Sequence, residues 1–353
     1  MKLADVHISG LGAWLPETVP VGWAIERGLV DPGEARRSGL LGAAVAGDLP
    51  APEMALAAAR QAVERSGHDP CDLGALFYVE AHHSGPEGWL SHSWLQRHLV
   101  GGAAFAATVD QGCNSVFGAL RLAADRLAAD PARPVLIAGA DNLGSATIDR
   151  WRSLRPDFIL ADAGSAVVLG GEPSVARLVA IDSVTLPEYE AMHRGDEPMF
   201  PSTAALGHEI DYTSRKEQFA KSVSTQEFGM AVVAARAELL EGLLDDAGIE
   251  LDQLTRIAYN HGSREFAEAG LMAMLGLPLA RSTWEFGRRI GHVSVSDQLI
   301  AVEHMLTAGE LAVGDHVLML GVGPGINIAG AVLEITAIPD WARTGPGGGN
   351  AHG

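Results

Sequence analysis

Gly67-His-Asp-Pro-Cys-Asp-Leu73-Gly-Ala-Leu-Phe-Tyr78 and Gly248-Ile-Glu-Leu-Asp-Gln-Leu254-Thr-Arg-Ile-Ala-Tyr259 are the two stretches that decide the fold. Their glycines, leucines and tyrosines stand 181 positions apart. Each stretch follows a helical segment that stops at its glycine, the alanine-rich Met54 to Ser66 and the run from Phe228 to Ala247. Each ends in a strand. Both copies then continue with a loop entering a helix (Cys113 to Leu127; His292 to Leu306) and an apolar strand (Pro134 to Gly139; Asp315 to Leu320). The same order of helix, glycine, acidic turn, leucine and strand, met twice, predicts a duplicated α/β unit.

Outward from these repeats, the most apolar stretch, Val317 to Ile335, is cut by Gly321, Gly323, Pro324, Gly325 and Asn327. It reads as two buried strands joined by a glycine turn rather than a membrane span. Between the halves, Pro187 to Arg215 carries three prolines and little periodicity. Such a loop is either a substrate wall or a surface excursion. The expected divisions are 1–173, an N-terminal half with the nucleophile; 174–227, a connecting region with this loop; 228–340, a C-terminal half; and 341–353, a flexible tail.

Twenty-five Lys and Arg against 44 Asp and Glu leave a formal charge of −19, which excludes a basic nucleic-acid binder. A hydrophobic fraction of 47% with 20% charged residues supports a large core. The first residues read as a strand entering a turn, with no export signal. Two cysteines, Cys71 and Cys113, make neither a disulfide framework nor a metal-ligand spacing, which suits the reducing cytoplasm. No metal, membrane or nucleic-acid partner is expected.

Cys113 lies in Asp110-Gln-Gly-Cys-Asn-Ser, ahead of an apolar helix. A helix N-terminus favours an anion, and for a cysteine that anion is the thiolate nucleophile. Cys71, in a Pro-Cys-Asp turn, has no activating partner. His292 and Asp297, in Gly291-His-Val-Ser-Val-Ser-Asp297, occupy the duplicated counterpart of the Cys113 loop. If the halves face each other, thiol, imidazole and carboxylate meet across the seam as nucleophile, general base and orienting acid. His261, after the second repeated strand, is a further acid/base candidate or a structural histidine. Gly321-Val-Gly-Pro-Gly325 has no helix after it, so it is a poor dinucleotide loop; the Gly325 amide is instead a candidate oxyanion donor.

Gly10-Leu-Gly-Ala-Trp-Leu-Pro16, the Gly-Cys helix start, Asp162-Ala-Gly-Ser-Ala-Val-Val-Leu169, the strand ending at His261 and the final glycine turn together resemble the β-ketoacyl carrier-protein synthase III group of the thiolase superfamily. That resemblance implies a five-layered αβαβα sandwich of two similar halves, and a homodimer. It puts the nucleophilic cysteine on Cys113, the family histidine on His261 and the oxyanion hole on the amides of Cys113 and Gly325. One departure stands out. Where the family has Gly-Asn-Thr-Ser, whose asparagine helps to stabilise an enolate, this chain has Gly291-His292-Val-Ser294. A group that takes a proton replaces an amide donor.

Such a Cys/His/Asp set resembles the acyltransferase branch of the family in polyketide pathways such as that of cervimycin, where intact malonyl units are attached to a sugar hydroxyl. The resemblance implies a thioester donor, acyl-CoA or an acyl carrier protein, a small-molecule hydroxyl acceptor and no permanently bound cofactor. Its rivals are a decarboxylative condensing or starter-unit-selecting synthase and a non-catalytic partner subunit; the cysteine speaks against the second. A body of charge −19 repels an acidic carrier, so docking is local or the donor is coenzyme A. Arg150, Arg152 and Arg155, and Arg281, Arg288 and Arg289, are the clusters that could form a local patch.

Overall fold

The computed structural model describes residues 1–3, 5–145, 147–201 and 207–343. Nine strands form one hydrogen-bonded sheet: β1 (His7–Trp14), β2 (Ala75–Val79), β3 (Phe105–Val109), β4 (Val135–Asp141), β5 (Ala163–Gly170), β6 (Ala176–Thr185), β7 (Leu254–Ala258), β8 (His316–Gly323) and β9 (Asn327–Ile335). Their spatial order is β3-β2-β4-β5-β1-β6-β9-β8-β7. The pairing repeats. In the first half β2 runs parallel to β4, β4 antiparallel to β5, and β5 antiparallel to β1. In the second, β7 runs parallel to β8, β8 antiparallel to β9, and β9 antiparallel to β6.

The offset of 181 survives in the backbone. Gly67 and Gly248 both end helices in the left-handed region, at φ +71° and +69°, where a glycine carries no Cβ penalty. Pro70–Asp72 and Leu251–Gln253 both form single 3-10 turns, and Leu73 and Leu254 are both fully buried.

Four long helices build the layers: α1 (Ala51–Ser66), α2 (Ser115–Ala129), α3 (Thr225–Ala247) and α4 (Asp297–Thr307). Helix α1 covers the outer face of β1, β4 and β5, and α3 covers β6 and β9. Helices α2 and α4 each touch strands of both halves and share one core with them. The halves join in the sheet through His7 and Ile8 opposite Arg177 and Ala176, with Lys2 bridging Ala180 beside them. The result is the expected thiolase-like αβαβα sandwich. The alanine-rich sequence of α1 has a packing reason. A Cβ on Gly12 would lie 2.0 Å from the carbonyl oxygen of Ala58, so helix and strand approach at backbone distance.

Several boundaries differ from the sequence reading for identifiable reasons. Helix α3 starts at Thr225 because the Ser224 hydroxyl accepts the Glu227 N–H, a Ser-x-x-Glu cap immediately ahead of the run that begins at Phe228. The segment 174–227 is not all connection, since its Ala176–Thr185 pairs with β9 along its length. Trp341 of the expected tail belongs to a short helix, Asp340–Arg343, under the Arg65 guanidinium at 4.1 Å; 344–353 lie outside the described residues. Among the described residues no helix is long and apolar enough to cross a membrane.

Candidate active site

The middle layer brings the starts of α2 and α4 together at the seam. Cys113 and Ser294, 181 residues apart, face each other with Oγ 3.9 Å from Sγ. The cysteine loop is fixed by short-range polar contacts. Gly112 donates its N–H to Asp110 Oδ1 (3.0 Å), Gln111 donates to Ser115 Oγ (2.8 Å), and that hydroxyl also meets the Gly112 carbonyl at 2.7 Å. Asn114 ties the loop to the last hairpin through Nδ2, which donates to the carbonyl and side-chain oxygens of Asn327, both at 2.9 Å. Gly112 is demanded twice, by φ +58° and by Pro324 Cδ 2.3 Å from where a Cβ would sit. Gly112→Ala should therefore lower stability by roughly 2 kcal/mol or more through positive-φ strain plus overpacking. Thermal unfolding at wild-type temperature would contradict this.

His292 is held by backbone. Its N–H donates to Ile159 and its carbonyl accepts from Ala161, each at 2.8 Å, so the segment after Phe158 carries the imidazole like a short parallel strand. The ring rests on Phe158 at 4.9 Å. Nε2 lies 3.2 Å from Cys113 Sγ, and Nδ1 lies 2.5 Å from Asp297 Oδ2. Asp297, the first residue of α4, is fully buried; its Oδ1 accepts the Val293 N–H (2.9 Å) and its Oδ2 the His261 N–H (3.1 Å). The helix start adds its own favourable field for the carboxylate.

The electrostatics follow from these contacts. Burial works against charge on His292, yet the carboxylate of Asp297 and its contact with Cys113 hold it well above the ordinary histidine value. Burial likewise opposes ionisation of Asp297, but His292 and His261 beside it keep its carboxyl well below the usual range. Two further titratable groups on the wall, His193 and Tyr212, are neutral at physiological pH. Burial, with Lys216 and Arg215 nearby, pulls His193 down to about 4, and burial pushes the Tyr212 phenol up to about 12. Cys71 is exposed, and Asp69 beside it pushes its thiol up.

The seam opens into a cavity of about 220 Å³ whose walls include Cys113, His292, Phe158, Leu160 and Phe228. The loop after Pro187 contributes Met192, His193 and Tyr212 to this wall; 202–206 of that loop lie outside the described residues. Of the final turn, Gly323, Pro324 and Ile326 line the cavity, and Gly325, at φ +77°, sits at the outer bend. His261 does not line it. Its ring lies behind Asp297, with Nδ1 3.0 Å from Oδ1 but not aligned for a hydrogen bond, and against Phe286 at 5.7 Å.

The arginine clusters are not free patches. Arg150 is consumed by the fully buried Asp162 in a bidentate pair at 3.1 and 3.0 Å, and Arg152 donates to the carbonyls of Leu29 and Gly28. Arg281 holds the carbonyls of Asp252 and Leu254, and Arg288 lies on Trp284. Arg155 lines the cavity and Arg289 is exposed. Sequence reasoning passed over Ser294, although the offset of 181 from Cys113 marks it, and over Phe158, Tyr212 and Asn260, for which spacing holds no signal.

Two family models, 3-oxoacyl-[acyl-carrier-protein] synthase III and its C-terminal counterpart, match residues 108–185 and 244–335. The β-ketoacyl-[acyl-carrier-protein] synthase III of Streptomyces lividans is 24% identical over 81% of this chain and 80% of its own. Among solved structures, the 3-oxoacyl-[acyl-carrier-protein] synthase III of Aquifex aeolicus superposes with a TM-score of 0.73 at 20% identity, covering 93% of this chain and 99% of that one. ChlB3, described as an acyltransferase, superposes with a TM-score of 0.92 at 47% identity, covering 96% of this chain and 99% of its own. This chain therefore belongs to the β-ketoacyl carrier-protein synthase III-like family of the thiolase superfamily, as an enzyme of the acyl-transferring or condensing kind.

Proposed function

We propose that the protein is an acyltransferase that moves an acyl group from a phosphopantetheine thioester, on coenzyme A or a carrier protein, through Cys113 to a hydroxyl of a small natural-product acceptor. The observation that carries this reading is the line Cys113 Sγ, His292 Nε2, His292 Nδ1, Asp297 Oδ2, with the imidazole on the cavity wall and His261 behind the carboxylate. The thiolate of Cys113 attacks the thioester carbonyl and the donor thiol leaves, taking the proton of the His292 imidazolium. The acceptor oxygen then attacks the acyl carbon while its proton passes to Nε2. Cleavage of the carbon–sulfur bond releases an ester and restores thiolate and imidazolium. Asp297 fixes the tautomer, and the amides of Cys113 and Gly325 are proposed as oxyanion donors.

Acylation changes the base in the useful direction. A thioester carries no charge, so one of the causes that keep His292 protonated disappears while Asp297 remains. The cavity is walled largely by Leu143, Leu154, Phe158, Leu160 and Phe228, which suits an apolar acyl group. Its cations have carboxylate neighbours: Lys216 lies 3.9 Å from Asp157, and Arg155 is close enough to stabilise the Asp211 carboxylate. An apolar acyl group is therefore put forward in preference to malonyl.

Incubation with a reactive acyl thioester should add one acyl group per chain, mapped to Cys113 by peptide mass spectrometry, and should yield an ester when an alcohol follows. Acyl on Cys71, or an added mass that persists in Cys113→Ala, would sink the assignment. Release of carbon dioxide with a new carbon–carbon bond from malonyl thioester would favour the condensing rival.

We also infer a homodimer. Strand β3 forms one edge of the sheet, and its Phe105 is 60% exposed, an unprotected edge that a second copy would cover. Sedimentation should give twice the 37.0 kDa chain mass, and a monomer at working concentration would dismiss the idea.

A further inference from the structure

Ser294 stands beside the reacting sulfur and has no task in the chemistry described above. It is buried and lines the main cavity together with Cys113 and His292. Its Oγ faces Cys113 Sγ at 3.9 Å and makes no other hydrogen bond among the described residues. Its backbone lies in the left-handed region, at φ +54°, which a serine adopts at a cost that a glycine does not meet. Asp297 imposes that conformation. Its Oδ1 accepts the Val293 N–H at 2.9 Å, and its own N–H donates to the Ser294 carbonyl. A strained residue held by its surroundings next to a nucleophile points to a use for its side chain.

The position of the hydroxyl suits charge that develops beyond the sulfur rather than on it. A separation of 3.9 Å is long for a bond to the sulfur itself. Oxyanion donors act at about 2.7–3.1 Å from the oxygen, and an oxygen one carbon removed from Sγ can take that distance from Oγ. The glycine turn leaves a need for such a donor. Pro324, the turn residue packed on Gly112, has no N–H, and the Val322 N–H is taken by Asn260 Oδ1 at 2.8 Å. Gly325, at the outer bend, is not among the described residues that line the cavity.

We infer that Ser294 is a catalytic residue whose hydroxyl, with the Cys113 amide, donates to the oxygen of the tetrahedral intermediates. The inference rests on the thioester-transfer reading and adds a group to its machinery. As the thiolate attacks, the sulfur–carbon bond forms and the carbonyl π pair moves onto oxygen; the hydroxyl keeps its proton and hydrogen-bonds that charge. Return of the pair breaks the bond to the donor's sulfur, which takes the imidazolium proton of His292, and the neutral thioester remains.

The test compares two reactions of the same sulfur in the full chain. Acylation by acetyl, hexanoyl and benzoyl thioesters of N-acetylcysteamine passes through an oxyanion, whereas alkylation by iodoacetamide, a displacement at saturated carbon, needs only the thiolate. Ser294→Gly removes the hydroxyl and suits the positive φ, and Ser294→Ala removes it while keeping Cβ. In both variants the second-order rate of acylation should fall by about 10²–10³-fold, the loss that follows removal of one oxyanion donor. The rate of alkylation and its midpoint on the pH axis should stay at their wild-type values. A fall in both reactions alike, or a shifted alkylation midpoint, would overturn the inference, because the hydroxyl would then act on the thiolate or on the fold. Acylation slowed by less than about tenfold in either folded variant would overturn it too, and each of these outcomes leaves the transfer reading standing. Wild-type Cys113 that is alkylated yet takes an acyl group from none of the three thioesters would overturn both.

Discussion

Transfer from pre-acylated enzyme to an acceptor alcohol is expected to slow by about 10²–10⁴-fold in His292→Ala, the span over which general bases contribute. An alcohol is a poor nucleophile until its proton is removed, and His292 Nε2, 3.2 Å from the sulfur that bears the acyl group, is the base on the cavity wall. The acyl-enzyme should therefore accumulate. His261→Ala should cost less, because its ring stands behind Asp297 and lines no part of the cavity. Single-turnover kinetics with quantified acyl-enzyme decides the matter. Near-normal deacylation in His292→Ala together with collapse in His261→Ala would move the base to His261 and restore the condensing pattern.

Asp297→Asn is expected to reduce turnover by about 10³–10⁴-fold, as when a triad's orienting acid is replaced and the imidazole takes the wrong tautomer. An amide nitrogen opposite Nδ1 donates to it, so Nδ1 becomes the acceptor and Nε2 carries the hydrogen and cannot take another's proton. The same change removes the charge that raises His292 against burial, and the imidazole should titrate lower than in wild type. Stability falls as well, by about 3 kcal/mol near neutral pH, since a buried charge loses its partner. The pH dependence has a definite sign. The folded carboxyl is held below its unfolded value, so its contribution is complete above about pH 4 and is lost as pH falls towards the depressed folded value. The wild-type and Asp297→Asn stabilities should converge on that acid limb in urea titrations at several pH values. Equal activity, or a stability gap that widens with acid, would contradict the role.

The repeats around Gly67 and Gly248 made the duplicated fold legible, because helix stops, acidic turns and strand leucines are local features that a residue carries wherever it is placed. The resemblance of the glycine and cysteine motifs extended this to the five layers, and the equivalence of the Cys113 and His292 loops foretold that two helix starts would meet. What remained open in the sequence was non-local. Whether His261 or His292 faces the sulfur depends on Ile159 and Ala161 gripping the His292 backbone, contacts across more than 130 residues that leave no period or spacing. The fate of Arg150 was hidden for a related reason. A guanidinium looks like surface in any sequence, and only the folded chain delivers the buried Asp162 that consumes it. The sequence by itself determined the elements and their twofold repetition, since these depend on local propensity and apolar patterning. Only the tertiary structure decided which titratable and polar groups share a cavity, because ångström distances between remote side chains are set by packing of the whole middle layer.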